Sequence, residues 1–376
     1  MNGKAGEPNK FYLPRMNSGS QTFWQSSWKR LKKNKGAMAG LFLILVAIFI
    51  ALFGYFLAPD PSPFANRIIL EIGGEKPGYQ REFLLVRKEG TSGTGFFQRM
   101  LYGKPDLYEH IPIASWRQTK DSIIVQKFID EGVSERLAVS RSKAAPVPVI
   151  SRTFHLGTDK YGRDILSRLI IGTRISLSVG LITVLISLSV GMALGAIAGY
   201  YKGRTDEIIM WLINVIWSIP TLLLVFAITL LLGKGFWQVF IAVGLTMWVN
   251  VARLVRGQVM VTKELQYVEA GRVLGFSDSR IIIRHILPNI MGPILVIAAS
   301  NFASAIVIEA GLSFLGVGVQ PPMPSWGLMI KENYNFIITQ NPMLALAPGF
   351  AIMILVLAFN LFGNGLRDAL NVRGKL

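Results

Sequence analysis

The apolar and polar positions of this chain fall into long blocks. Ala39 to Ala58 runs twenty residues without a charge. Other apolar stretches lie at about 169–200, 208–232, 236–256, 290–316 and 344–366. A helix needs about 20 residues to cross the hydrocarbon of a bilayer. Counting the first stretch at about 38–58, the pattern predicts six spanning helices. In that first stretch the many Leu, Ile, Phe and Val residues, each worth roughly −0.3 to −0.6 kcal/mol on insertion, outweigh the glycines. A spanning helix is expected here in preference to a signal peptide, because 38 mostly polar residues precede the stretch and it exceeds a secretory h-region. Ser187, Gly191, Gly195, Gly199 and Gly203 recur every fourth residue, a small-residue face that lets another helix approach closely. Packing within the chain is preferred to a dimer face. Pro220 removes a backbone donor and should kink the third span.

Residues 59–160 break the pattern and divide the chain into three units: 1–58, the insert 59–160, and a core at 161–376. Arg67–Ile72 and Glu82–Val86 read as short strands around a turn-rich GGEKPGY. Ala144–Val149 reads as an extended linker. The insert is expected to be α+β or irregular.

Composition agrees with a membrane protein: 51% of the 376 residues are hydrophobic and 16% charged. The formal charge is +17. Eight Lys/Arg against one acid fall in residues 1–36, and six against three in 251–289. Both blocks abut apolar helices, as the positive-inside rule predicts, so the charge does not indicate nucleic-acid binding. That rule places both termini and the 251–289 segment in the cytoplasm. It leaves the insert outside, since long loops translocate regardless of charge. There is no cysteine, which excludes disulfides and thiolate chemistry. His110, His155 and His285 are widely separated, so no metal site is expected.

The segment 265–289 is the polar block between spans four and five. Leu265–Leu274 has helical composition, and Gly275 stands where a helix stop favours left-handed geometry. Ser277 or Asp278 can cap a second helix, Arg280–Leu287, which should end in a sharp turn at Pro288 where span five begins. Ala270 and Gly271 are small, so a partner surface can come close. Glu269 and Arg272 are available for charged contacts. Read by periodicity alone, this would be an ordinary amphipathic connector.

The sequence Glu269 to Asn289, EAGRVLGFSDSRIIIRHILPN, resembles the EAA loop of ABC-transporter permeases. Glu269-Ala270, Gly275 and Leu287-Pro288 keep that family's spacing. Gly271 replaces the second alanine and His285 an isoleucine. His285 through Asn289 looks like the variant of the peptide-permease branch. Three further stretches resemble that branch, the C-type permease subunit of dipeptide/oligopeptide/nickel importers: His155–Leu177, Glu309–Gly327 and Phe359–Leu370. Trp28–Asn34 with span one looks like its amino-terminal segment. Asn364, Asn371-Val372 and the long insert depart from the pattern.

The resemblance implies an all-α integral membrane protein of the type I ABC importer permease fold, in a bacterial inner membrane. It implies a second homologous permease, two ABC ATPase subunits and an extracytoplasmic substrate-binding protein as partners. ATP and Mg would be held by the ATPases and no cofactor by this chain, which would carry no catalytic residue. It implies an ATPase-docking loop of Glu269, Ala270, Gly271, Arg272, Leu274 and Gly275. His285, Leu287, Pro288 and Asn289 would form the loop-to-helix junction. Peptide is the implied cargo, with nickel or another small solute as alternatives.

Glu309 is an acid near the end of span five, and a charge inside a membrane is usually paired or lines a cavity. Arg174 stands at comparable depth in span two. The two are expected to form an ion pair, unless Glu309 simply reaches the headgroups. A stand-alone secondary transporter or channel is the competing class, but it predicts several intramembrane acids or inverted repeats. Only Glu309 meets that description. Gly157–Asp164 resembles a phosphate loop faintly but lacks the Gly-Lys-Ser/Thr ending. An intramembrane enzyme would need a nucleophile with a base, and no such set is apparent.

Overall fold

A computed structural model describes residues 23–89, 94–339 and 341–370. Most of the segment expected to precede span one, including Lys4, Lys10 and Arg15, lies outside the described residues, as do Arg373 and Lys375.

Helix α1 (Phe23–Lys33) is amphipathic, with Leu31 buried against Ala37 and Ala369. Asn34 then caps α2 (Lys35–Leu57), its side chain accepting from the Ala37 amide at 3.1 Å. The insert follows. Its β1 (Tyr79–Arg87), α3 (Phe96–Tyr102), β2 (Tyr108–Gln118), β3 (Ser122–Asp130), β4 (Val133–Ser140) and β5 (Ala144–Phe154) build a five-stranded antiparallel sheet in the order β4-β3-β2-β1-β5. Phe83, Phe128, Phe154, Ile69 and Ile72 fill one core of this unit, and Leu84, Ile113, Ile123 and Val125 another. Two expectations are corrected. Residues 67–72 do not form a strand; they end in a 3-10 turn at Leu70–Ile72 that tucks Ile72 under the sheet. The stretch expected as a linker at 144–149 is the start of β5, whose Pro146 and Pro148 are tolerated because β5 is an edge strand.

Asp164 caps α4 (Ile165–Tyr201), accepting from the Ser167 amide at 2.9 Å. At 37 residues α4 is the longest uninterrupted α-helix among the described residues, rising about 55 Å. Then come α5 (Gly203–Trp217), α6 (Thr221–Leu232) and α7 (Phe236–Thr262). Most of the small-residue stripe faces α7 of the same chain. A Cβ at Gly195 would meet the Ala252 carbonyl at 2.5 Å, and one at Gly199 the Arg256 carbonyl at 2.7 Å. The third span is not a kinked helix. It is two helices bent by 92°, with Pro220 at the cap position of α6.

Helix α8 (Gln266–Val273) and a turn α9 (Asp278–Arg280) lead through a π-helical stretch, Ile281–Ile286, and a 3-10 turn, Leu287–Ile290, into α10 (Met291–Leu315). Asp278 to Leu315 runs as one long helical rod. The sharp turn expected at Pro288 is therefore absent there; the chain turns at Gly275–Ser277 instead. Proline needs no amide in the first turn of a helix, so Pro288 is accommodated in the 3-10 turn. Helices α11 (Trp326–Asn333), α12 (Phe336–Thr339) and α13 (Met343–Leu370) complete the chain. Among the described residues, five helical runs are long and apolar enough to cross a membrane, or six where the bent α5–α6 pair counts as one span.

Candidate functional site: the α7–α10 connection

The site stands on the end of α4. Tyr200 is buried there, and its hydroxyl donates to Asp278 Oδ1 at 2.7 Å. Lys263, just past α7, donates to the Tyr200 carbonyl at 2.5 Å. The Arg272 guanidinium lies 5.3 Å from the Tyr200 ring. One residue, through its carbonyl, hydroxyl and ring, thus gathers the end of α7, helix α8 and the start of α9. The sequence offered no periodic or motif signal for this role of Tyr200. Asp278, expected as a helix cap, is engaged by Tyr200, and Ser277 precedes α9 without a side-chain cap bond.

Helix α8 buries Val268 and Gly271, three residues apart, against a core that includes Val259, Ile281 and Ile286. Its end is closed by two backbone bonds: Phe276 N donates to Gly271 O at 3.1 Å, and Gly275 N to Arg272 O at 2.9 Å. With Gly275 at φ +77° this is a Schellman closure, and it places Phe276 against Gly271. Phe276 also stacks on His285 at 5.6 Å and carries the Arg280 guanidinium 4.3 Å from its ring. His285 is therefore a packing residue. Its carbonyl accepts from Asn289 Nδ2 at 2.6 Å, holding the junction where Leu287 is half-buried and Pro288 exposed.

The rest of α8 is exposed to solvent. Glu269, Ala270 and Arg272 are exposed, Val273 is 84% exposed and Leu274 71%. A rigid connection between two long helices carries an apolar tip with a charged rim. The predicted docking residues are thus gathered on one short helix and the closure that ends it, with Gly271 turned inward as packing.

Arg174 and Glu309 are not brought together. Arg174 Nη1 donates to the carbonyls of Met100 and Leu101, at 3.1 and 3.0 Å. Glu309 is fully buried and accepts from the Ser313 hydroxyl at 2.6 Å. Helix rotation, which spacing alone does not report, turns them to different neighbours. A charged cluster that the sequence did not single out lies at that end of α4. Arg163 donates to Asp159 at 2.6 Å and to Glu332 at 2.7 Å, and Arg168 lies 3.5 Å from Glu332.

A cavity of about 790 Å³ opens beside the α5–α6 break, between α7, α10 and the end of α13. Its polar lining includes Thr246, Asn250, Ser300, Asn301, Ser304 and Arg367.

A family profile described as "Binding-protein-dependent transport system inner membrane component" matches residues 191–374, a range that holds α8 and both helices flanking it. A second, "N-terminal TM domain of oligopeptide transport permease C", matches residues 22–69. The di/tripeptide transport system permease protein of Pseudomonas aeruginosa is 35% identical over 375 residues, covering 100% of this chain and 97% of that one. The chain belongs to the family of inner-membrane permeases of binding-protein-dependent transport. The glutathione transport system permease protein of Pectobacterium atrosepticum is 44% identical over 220 residues, 58% of this chain and 73% of that one. The oligopeptide transport system permease protein of Bacillus subtilis is 42% identical over 221 residues, 59% of this chain and 72% of that one. The Pseudomonas match runs the whole chain, sheet unit included, so this permease's insert is not peculiar to it.

Proposed function

We propose that this permease forms half of the translocation pathway of an ATP-driven peptide importer and receives the ATPase stroke through α8. One observation carries the reading: α8 presents Val273 and Leu274 to solvent on a helix locked to the ends of α4, α7 and α10. A single monomer has no use for so exposed an apolar tip. Seated in a cleft of a partner ATPase, it would pass rigid-body motion into α7 and the α9–α10 rod. A second homologous permease completes the pathway, two ATPases bind ATP and Mg, and an external binding protein delivers the substrate. In that assembly ATP binding closes the ATPases and turns the pathway outward; hydrolysis resets it.

Peptide cargo is supported by the similar proteins, whose names specify di/tripeptide, oligopeptide and glutathione transport. The cavity suits it: hydroxyl and amide side chains can bond a peptide backbone whatever its side chains are. The sheet unit and α8 stand at opposite ends of α4, which supports a sheet on the external side when α8 meets an ATPase in the cytoplasm.

The test is Leu274→Asp and Val273→Asp in the complete transporter, read by recovery of the ATPase subunits with the purified permease and by peptide uptake. Both variants should insert normally, lose the ATPases and lose uptake. Normal recovery and normal uptake in both would remove α8 as the docking element.

A further inference from the structure

Helix α3 is seven residues long, Phe96 to Tyr102, and stands outside the sheet it interrupts. Phe96 is 60% exposed, Phe97 73% and Tyr102 69%. A soluble surface rarely gathers such side chains without a partner. We propose that α3 lies in the lipid headgroup layer at the end of α2 and anchors the sheet unit to the membrane surface.

The position of α3 argues for lipid. Helix α2 has 23 residues and rises about 34 Å, slightly more than the roughly 30 Å of bilayer hydrocarbon. Its last turn therefore sits at the boundary. Phe56, in that turn, contacts Phe96 of α3 with ring centroids 5.2 Å apart. The contact belongs to a continuous aromatic ladder. Phe49 meets Phe53 at 4.9 Å, Phe53 meets Phe56 at 6.5 Å, and Phe96 meets Phe97 at 5.6 Å. Phe49 lies on the exposed side of α2 with Phe42, Leu45 and Leu52, so the ladder begins on a bare apolar face of a spanning helix. It climbs without interruption onto α3.

The chemistry of α3 also suits that layer. Aromatic rings with a polar tip, such as Tyr102, concentrate where hydrocarbon meets water. Arg99 lies with its guanidinium 4.6 Å from the Phe56 ring, and the exposed Lys104 follows the helix. Both cations can reach phosphate groups while their stems stay in apolar surroundings. Helix ends leave carbonyls unpaired, and Arg174 of α4 supplies donors to two of them, Met100 and Leu101. Arg174 thus fixes α3 to the spanning bundle from below, a positive charge at a helix C-terminus.

This chain has no cysteine, so an introduced cysteine is its one labelling site, and the label is attached to the purified permease before the partner subunits are added. Phe97→Cys would carry a nitroxide in the assembled transporter, held in lipid nanodiscs. Collision with oxygen, which concentrates in lipid, is compared with collision with a water-soluble nickel chelate. Val147→Cys on β5, exposed at 64%, supplies the aqueous reference, and Phe49→Cys on α2 the hydrocarbon reference. The position 97 label should fall between the two, with several-fold less nickel collision than position 147. Tyr102→Cys should agree, which guards against a local distortion at Phe97. Nickel collision equal to that at position 147 at both sites would place α3 in water. Protection from both probes would mean that a protein subunit covers it. Either outcome overturns the proposal.

Discussion

The guanidinium of Arg163 donates to the carboxylate of Glu332 at 2.7 Å, across 169 residues of sequence. It joins the loop that leaves the sheet unit to α11, the first helix after α10. Arg163, Asp159 and Arg168 are buried, and Asp159 and Glu332 together balance the two guanidiniums. Removing one partner of such a cluster leaves an uncompensated buried charge, typically at a cost of about 3–5 kcal/mol. Arg163→Met should therefore lower the thermal midpoint of the purified transporter by many degrees. Glu332→Gln should cost less, since an amide can still accept from Arg163. An unchanged midpoint in Arg163→Met would show that the cluster contributes little.

Arg174 and Glu309 invite a charge swap, because counting along the chain puts them at comparable depth, Arg174 near the start of α4 and Glu309 near the end of α10. The structure predicts that the swap fails. Arg174→Glu would set a carboxylate against the Met100 and Leu101 carbonyls, and Glu309→Arg would force a larger cation into a fully buried site. The double variant should be at least as defective in uptake as the worse single one. In Arg174→Gln, trypsin should cut at Arg99 faster than in the parent. Restored uptake in the swap would show that the two side chains do meet during the transport cycle.

Gly162 and Gly275 share a left-handed backbone, φ +71° and +77°, yet their replacement by alanine should differ sharply. At Gly275 an added Cβ meets nothing within 4 Å, so the cost is backbone strain alone, about 1–2 kcal/mol. At Gly162 the same atom would overlap the carbonyl of Ile69, which cannot give way without moving the chain beneath the sheet. Gly275→Ala should express and assemble near normally. Gly162→Ala should fail to accumulate, as read by immunoblotting of membranes. Equal accumulation would show that Ile69 can shift.

What could be read in the sequence follows from what each physical signal reports. Apolar length reports spanning helices, and α2, α4, α7, α10 and α13 lie where expected. Proline reports a break but not its angle, so the 92° bend at Pro220 looked like a kink. Pro146 and Pro148 disguised β5, because an edge strand admits proline that a central strand would not. Gly275 was legible because left-handed closure has a residue preference. Tyr200 was not, since its partners Lys263, Arg272 and Asp278 come from later elements. The Arg174 reading failed for the same reason: depth along a helix can be counted, but its facing cannot.

His110, on β2, supplies a pH dependence to the sheet unit. Burial, then the nearby charges of Arg67 and Arg152, lower its pKa from 6.5 to about 3; Asp106 opposes them only in part. Arg152 Nη2 lies 3.2 Å from His110 Nε2, the Phe83 ring packs at 6.3 Å, and Arg67 is itself paired with Asp60 and Asp106. Because the folded pKa is depressed, the unfolded chain binds the extra proton first. Stability from neutral His110 is complete above about pH 6.5 and declines as pH falls toward 3, by at most a few kcal/mol. The midpoint for melting of the sheet unit should therefore drop between pH 7 and pH 4. His110→Gln, which cannot take the proton, should flatten that part of the profile. The check is hydrogen exchange at β2 amides across this range in both proteins, and a parent profile as flat as the variant's would remove His110 as the cause.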